Sequence, residues 1–164
     1  MVNSIVVANA GPLITLAKIN QFDLLKELFG SVVVPVAVLD EVVRRGAAMP
    51  GAQETMNADW IETRVVADDL AVSILRESIG AGESEVIVLA QELDADLLLL
   101  DDALARRKAE RVGLNVIGTL GVLLLAKQRG YLEMVKPVLG ELQQTDFRAS
   151  VRVYEEVLSK AGEA

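Results

Sequence analysis

The chain of 164 residues contains no cysteine and no histidine. Without cysteine it has no disulfide framework, no thiolate nucleophile and no cysteine-type zinc site. Without histidine it has no imidazole acid–base pair, no Ser-His-Asp triad and no histidine metal ligand. Aromatic residues make up only 4%, so the sequence displays no base-stacking platform. No apolar run approaches the roughly 18 residues that a membrane span needs, and stretches such as Leu97–Leu100 are the length of a strand. The start, MVNSIVVANAGP, has no basic region ahead of its first apolar run. No signal peptide is therefore expected, and a cytoplasmic location away from membranes follows by default. Positive charge is also scarce: 16 Lys and Arg face 24 Asp and Glu, a net −8. That is the wrong sign for coating duplex nucleic acid, although it leaves room for a local basic rim. Any chemistry must come from carboxylates, Lys, Ser/Thr, backbone dipoles or a bound hard cation.

What is there is an ordinary globular composition, 52% hydrophobic and 24% charged, in a length that suits one domain. There is no internal repeat or linker-like segment, and Pro12, Pro35, Pro50 and Pro137 are scattered, so one continuous domain over 1–164 is expected. Ser4–Ala8, Val32–Val34, Leu97–Leu100 and Val116-Ile117 read as short strands buried on both faces, and Trp60–Val66 as a further strand. Helical spacing follows at Leu13–Ala17, at Phe22–Phe29 up to Gly30, and from Pro35 to about Arg45. It returns weakly around Leu70–Glu77, then clearly at Val86–Leu93, Ala105–Val112 and Leu120–Lys127. The segment 47–59 carries no clear pattern. Two amphipathic helices close the chain over about 133–162, packing on the domain or on a dimer partner. This alternation predicts a three-layer α/β/α fold with a central, mostly parallel sheet.

In such a sheet, ligands bind beyond the carboxyl ends of the strands. Asn9 ends the first strand, and Asp101 and Asp102 end the strand Leu97–Leu100. Glu83 and Glu85 begin a helix, Glu41 lies near the second turn of the helix leaving Val32–Val34, and Thr119 follows the last strand. Each residue has an ordinary explanation: Asn9 and Asp102 as helix caps, Glu83 and Glu85 as complements of a helix dipole, Glu41 as a solvated side chain. Helix caps alone, however, do not require so many acids on one rim. Clustered carboxylates repel unless a cation neutralises them, and Mg²⁺ or Mn²⁺ is suited to an all-oxygen set. Such a site suits phosphodiester hydrolysis. Beside it, Arg106, Arg107, Lys108 and Arg111 cluster on one helix, Arg44 and Arg45 follow Glu41, and Lys18 lies in the first helix. These could hold a phosphate backbone or form a solvated helix face. Gly118-Thr119-Leu120-Gly121 could bind phosphate at a helix N-terminus, but it lacks the P-loop lysine and the dinucleotide-fold glycine spacing.

Val6–Ile14, Leu39–Val43, Gly82–Ile87 and Leu98–Asp102 closely resemble the signature segments of the PIN domain, in particular its small stand-alone prokaryotic branch related to VapC toxins. Val116–Gly121 and the terminal helix from Phe147 to Gly162 extend the likeness over nearly the whole chain. The resemblance implies a Mg²⁺- or Mn²⁺-dependent nuclease cutting single-stranded RNA, the toxin of a toxin–antitoxin pair. It also implies a homodimer whose acidic pocket receives a basic side chain of the cognate antitoxin. Carried over, the acidic quartet falls on Asn9, Glu41, Glu85 and Asp102, with Asp101 as the neighbouring alternative. As metal ligands it implies Glu41, Glu85 and Asp101 or Asp102; Lys18, Arg44, Arg106, Arg107 and Thr119 are the expected substrate contacts. The first acid of the pattern is normally Asp. Asn9 keeps an oxygen ligand there but removes one negative charge, which weakens cation binding. The alternative is therefore a catalytically weakened PIN-fold module that binds RNA or protein.

Overall fold

In the computed structural model, which describes residues 4–164, the strands are β1 (Val6–Ala8), β2 (Val32–Pro35), β3 (Ile61–Arg64), β4 (Leu97–Leu99) and β5 (Val116–Ile117). They pair in the order β3-β2-β1-β4-β5, every pair parallel. The sheet expected to be mostly parallel is thus wholly so. Valine-rich β1 and β2 are buried along their length, as strands covered on both faces must be. At the edge, β3 presents Glu62, Thr63 and Arg64 to solvent, and Arg64 pairs with Glu62 at 2.9 Å. Charges of this kind discourage edge-to-edge pairing with another sheet.

Ten helices connect and flank the strands among the described residues: α1 (Ala10–Lys18), α2 (Leu24–Phe29), α3 (Val36–Arg44), α4 (Ala52–Asn57), α5 (Asp69–Leu75), α6 (Ala81–Glu92), α7 (Ala103–Arg111), α8 (Thr119–Gln128), α9 (Lys136–Gln143) and α10 (Val151–Lys160). Chain direction across the sheet reverses between the β1–β2 and β4–β5 crossovers. Right-handed connections therefore put their helices on opposite faces. Accordingly α1 and α2 pack with α8, whereas α6 packs with α5 and α7 and lies across β1, β2 and β4. The helix α6 is apolar nearly all round, with Val86, Ile87, Val88, Leu89 and Ala90 buried. None of the helices is long and apolar enough to cross a membrane.

Three local departures from the sequence reading have physical causes. The helix α1 starts at Ala10, so Pro12 sits inside its first turn instead of opening it; the missing proline amide has no intrahelical acceptor there in any case. The last helix begins at Val151, not near Phe147, because Ser150 Oγ accepts from the Val153 amide at 3.2 Å and caps it. The patternless segment 47–59 contains α4, six residues with only Ala52 and Thr55 buried, too short for periodicity to show. Gly51 starts it at φ +94°, where a Cβ would lie 3.3 Å from Ile14 Cα.

The closing helices pack on the domain. Val138, Leu139 and Leu142 of α9 and Tyr154 and Val157 of α10 are buried, and α10 rests on α8. Lys127 Nζ, on α8, donates to the Ala161 carbonyl at 2.6 Å and to Glu163 Oε2 at 2.7 Å. The same carboxylate accepts from the Val135 and Lys136 amides at 2.7 and 2.9 Å. These donors, Lys127 first, hold the Glu163 carboxyl down at about 2 against an ordinary 4.5. A depressed carboxyl pKa stabilises the fold above the unfolded value and ceases to as pH falls toward the folded one. Glu163→Gln should therefore lower Tm at pH 7, and the gap should close between about pH 4.5 and 2 in a calorimetric pH series. A gap that stayed constant would mean that the charge is not its source.

Candidate active site

The order β3-β2-β1-β4-β5 makes the carboxyl ends of β1 and β4 the switch point where a crevice opens in a doubly wound sheet. Val6, Val7 and Ala8 lie opposite Leu97, Leu98 and Leu99, and the Asn9 amide continues the ladder to the Leu99 carbonyl at 2.9 Å. Asn9 and Asp101 therefore leave neighbouring strands at the same edge.

Asn9 holds the N-cap position of α1, yet its side chain makes no capping bond. The residue is buried and its Oδ1 has no hydrogen-bond donor. A buried polar atom without a partner is unusual and costly. Across from it, a Cβ at Gly82 would lie 3.2 Å from Asn9 Oδ1 and 3.2 Å from Glu41 Oε1. Glycine at the start of α6 thus keeps open the space between an amide oxygen and a carboxylate. The Glu41 carboxyl is held above its ordinary pKa, by burial first and by the charge of Glu83 second, with Arg45 opposing.

Asp101 forms the second part of the site. Its Oδ1 accepts from the Thr119 amide at 2.7 Å and its Oδ2 from the Thr119 hydroxyl at 2.7 Å. Oδ2 also lies 3.6 Å from where a Cβ of Gly11 would be. Burial raises the Asp101 pKa, while the Thr119 hydrogen bonds and the Arg106 charge pull it back.

Of the remaining expected residues, Glu85 and Arg44 share a cleft with Glu41, and the others lie apart from it. Asp102 is exposed and caps α7, its Oδ2 accepting from the Ala105 amide at 2.8 Å. Glu85 Oε1 accepts from the Ala37 amide at 3.2 Å, in the first turn of α3. Thr119, expected to touch substrate, is fully buried and spends its hydroxyl on Asp101. Lys18 lies at the far end of α1, about 13 Å along its axis from Asn9, and pairs with Asp146 at 2.6 Å. Arg107 is exposed on α7, whereas Arg106 is half-buried and turned toward Gly118. Arg44 lines a cleft of about 590 Å³ beside Glu41, Glu83 and Glu85. Arg76, at the end of α5, joins it there, and no pattern in the sequence points to that residue. Gly82 was legible only as part of Gly82–Glu85; its role as a spacer between two oxygens is purely tertiary.

Among the described residues, no three acids lie close enough to share an ion. Even so, the donors at the rim fit a hard cation that keeps most of its waters. All are oxygens, one is buried and unpartnered, and a glycine leaves room between it and a carboxylate. Because Thr119 lowers the Asp101 pKa, Thr119→Val should raise it further. The side-chain carboxyl resonance of Asp101 should then titrate at higher pH than in the parent protein. An unmoved titration would mean that the hydroxyl does not hold the carboxylate.

No curated protein matches the chain. A family model described as a PIN domain matches residues 5–163, which takes in all five strands, all ten helices and every residue of the rim. With its parallel five-stranded sheet between two helical layers, the chain belongs to the PIN domain family, whose fold is of the nuclease type.

Proposed function

We propose that the protein is a metal-dependent endoribonuclease that cuts single-stranded RNA at the rim carrying Asn9, Glu41 and Asp101. The observation that carries this reading is Asn9: a buried amide oxygen with no donor, separated by Gly82 from a carboxylate, at the end of a central strand. Asn9, Glu41 and Asp101 would hold Mg²⁺ or Mn²⁺, with Glu85 approaching from α6. The bound cation would lower the pKa of a water and offset charge on the scissile phosphate. Thr119 fixes the Asp101 carboxylate from behind, so that it would hold the cation without reorganising. Arg44 and Arg76 on one side, and Arg106 on the other, would hold the flanking phosphates. Asp101, not Asp102, is the carboxylate of choice, because Asp101 is half-buried beside Gly11 at the rim whereas Asp102 is exposed and caps α7.

In the same reading the protein is the toxin of a toxin–antitoxin pair. A basic antitoxin side chain entering beside Glu41 would relieve the repulsion between Glu41 and Glu83. A homodimer is supported by exposed Val65, Leu70 and Ile74, apolar side chains on and just before α5. A second reading, a PIN-fold module that binds RNA or protein with little catalysis, is favoured by the neutral Asn9 and by the dispersal of the acids among the described residues.

The test is cleavage of single-stranded RNA with Mn²⁺ or with EDTA. Cleavage should require the metal and fall at least about 100-fold in Asp101→Asn and Glu41→Gln, the scale on which lost transition-state contacts act. Asp102→Ala should still cleave, and should lose only a helix cap, about 1 kcal/mol of stability. Full activity in Asp101→Asn would overturn the assignment. RNA bound but uncut by the parent protein, and cut by Asn9→Asp, would establish the second reading.

A further inference from the structure

On the β4–β5 side of Asp101, away from Glu41, a cleft of about 430 Å³ runs between the first turn of α8 and the segment Phe147–Lys160. Ile117, Gly118, Leu120, Gly121 and Leu124 line its floor. A Cβ at Gly118 would lie 2.5 Å from Asp101 Oδ1 and 3.1 Å from Arg106 Nη1, and one at Gly121 would lie 3.0 Å from Ile117 Cβ. Gly118 has φ −96°, a conformation open to any residue, so glycine there serves to let the Asp101 carboxylate and Arg106 come close. The amides of Leu120 and Gly121, in the first turn of α8, have no intrahelical acceptor, and both residues line the cleft.

The walls differ in chemistry. Arg106, Arg148 and Lys160 line the cleft, and among the described residues none has a carboxylate within 4 Å. Glu156, also on the wall, is turned to Arg152 at 3.5 Å. In a chain of net −8, a concavity whose three cations outnumber its two acids, Asp101 and Glu156, reverses the sign locally. Phe147, with Leu124 and Val153, forms an apolar wall. Phe147 packs partly on the core and leaves the rest of its ring in the cleft.

We propose that this cleft is a nucleotide subsite. It takes the residue of a single-stranded RNA that adjoins the phosphate at Asp101, with the base against Phe147 and the next phosphate among Arg106, Arg148 and Lys160. The inference rests on the nuclease reading for its substrate class. Its own support is the pairing of cations with an aromatic wall in a concavity that Asp101 shares with the candidate active site. The volume suits one small ligand and excludes a duplex end. Specificity of this kind comes from a base out of its stack, which duplexes do not offer.

The test is equilibrium binding of a fluorescently labelled single-stranded RNA by anisotropy, in EDTA and across a salt series. Phe147→Leu, which keeps an apolar side chain, should weaken binding about 5-fold or more. Arg148→Gln and Lys160→Gln should each weaken binding and reduce the salt slope by about 0.7. Each variant should melt within a few degrees of the parent. An RNA series carrying one abasic position should include a position at which Phe147→Leu costs nothing further. A mononucleotide should compete at concentrations where inorganic phosphate does not. Unchanged affinity and slope in all three variants, or phosphate competing as well as the nucleotide, would overturn the subsite. Metal-dependent cleavage by Phe147→Leu with an unaltered KM would also remove the subsite, while leaving the nuclease reading intact. Binding losses as expected, with no cleavage by the parent in any metal, would remove the nuclease reading and keep the subsite.

Discussion

The parallel pairing of β1 with β4 is the constraint on which the rest depends. It joins residues 6–8 to residues 97–99, 91 positions apart, and makes two crossovers of opposite sense leave from one point. Everything at the rim inherits that junction: Asn9 is carried past the end of one strand, Asp101 past the end of the other, and α6 crosses beneath both. Hydrophobic burial drives the pairing, since β1 and most of β4 are shielded on both faces. A register shifted by one residue would set each side chain of the strand against the opposite helical layer and take Asn9 and Asp101 off their common level at the strand ends.

On this frame the polar groups divide into those that are satisfied and those that are kept available. Glu163, Glu92 and Asp102 are anchored to backbone amides, and each closes a helix end or a loop. Asp101 is held from one side by Thr119, and among the described residues none donates to Asn9 Oδ1. Buried polar groups left short of partners are costly to a fold, so such groups concentrate where a ligand completes them. Glycines 11, 82 and 118 surround the same edge, each placed where a Cβ would approach Asp101, Asn9 or Glu41. The rim is thus bounded by absent side chains as much as by present ones.

Much of the architecture was legible because it depends on local periodicity. Runs such as Val32-Val33-Val34 and Leu98-Leu99-Leu100 have no polar break, and helices such as α6 repeat apolar residues at the proper spacing. The short helix α4 was not legible, since six mostly polar residues carry no period. At the site, residue types and strand ends were readable from spacing, and the PIN-like segments were readable as a series. Contacts were not. The sequence pattern put Asp102 first with Asp101 as its neighbouring alternative, whereas the approach of Thr119 from α8 to Asp101 and the cap that Asp102 gives α7 are set by the fold. Lys18 looked available to substrate until the chain folded Asp146 against it.

By itself the sequence determined the class of fold, the identity of the strands, the exclusion of thiol and imidazole chemistry and the oxygen character of any metal site. These follow from composition and from periods of two to four residues, which act along the chain. Tertiary structure alone decided which oxygens are spent on amides and which stay free. It also decided that Gly82 stands between Asn9 and Glu41, and that Phe147, Arg148 and Lys160 come to the side of Asp101. The physical reason is separation. Those groups are brought together by the packing of α6, α8 and α10 around one sheet, and no short-range pattern encodes the distance between residues 41, 101 and 148.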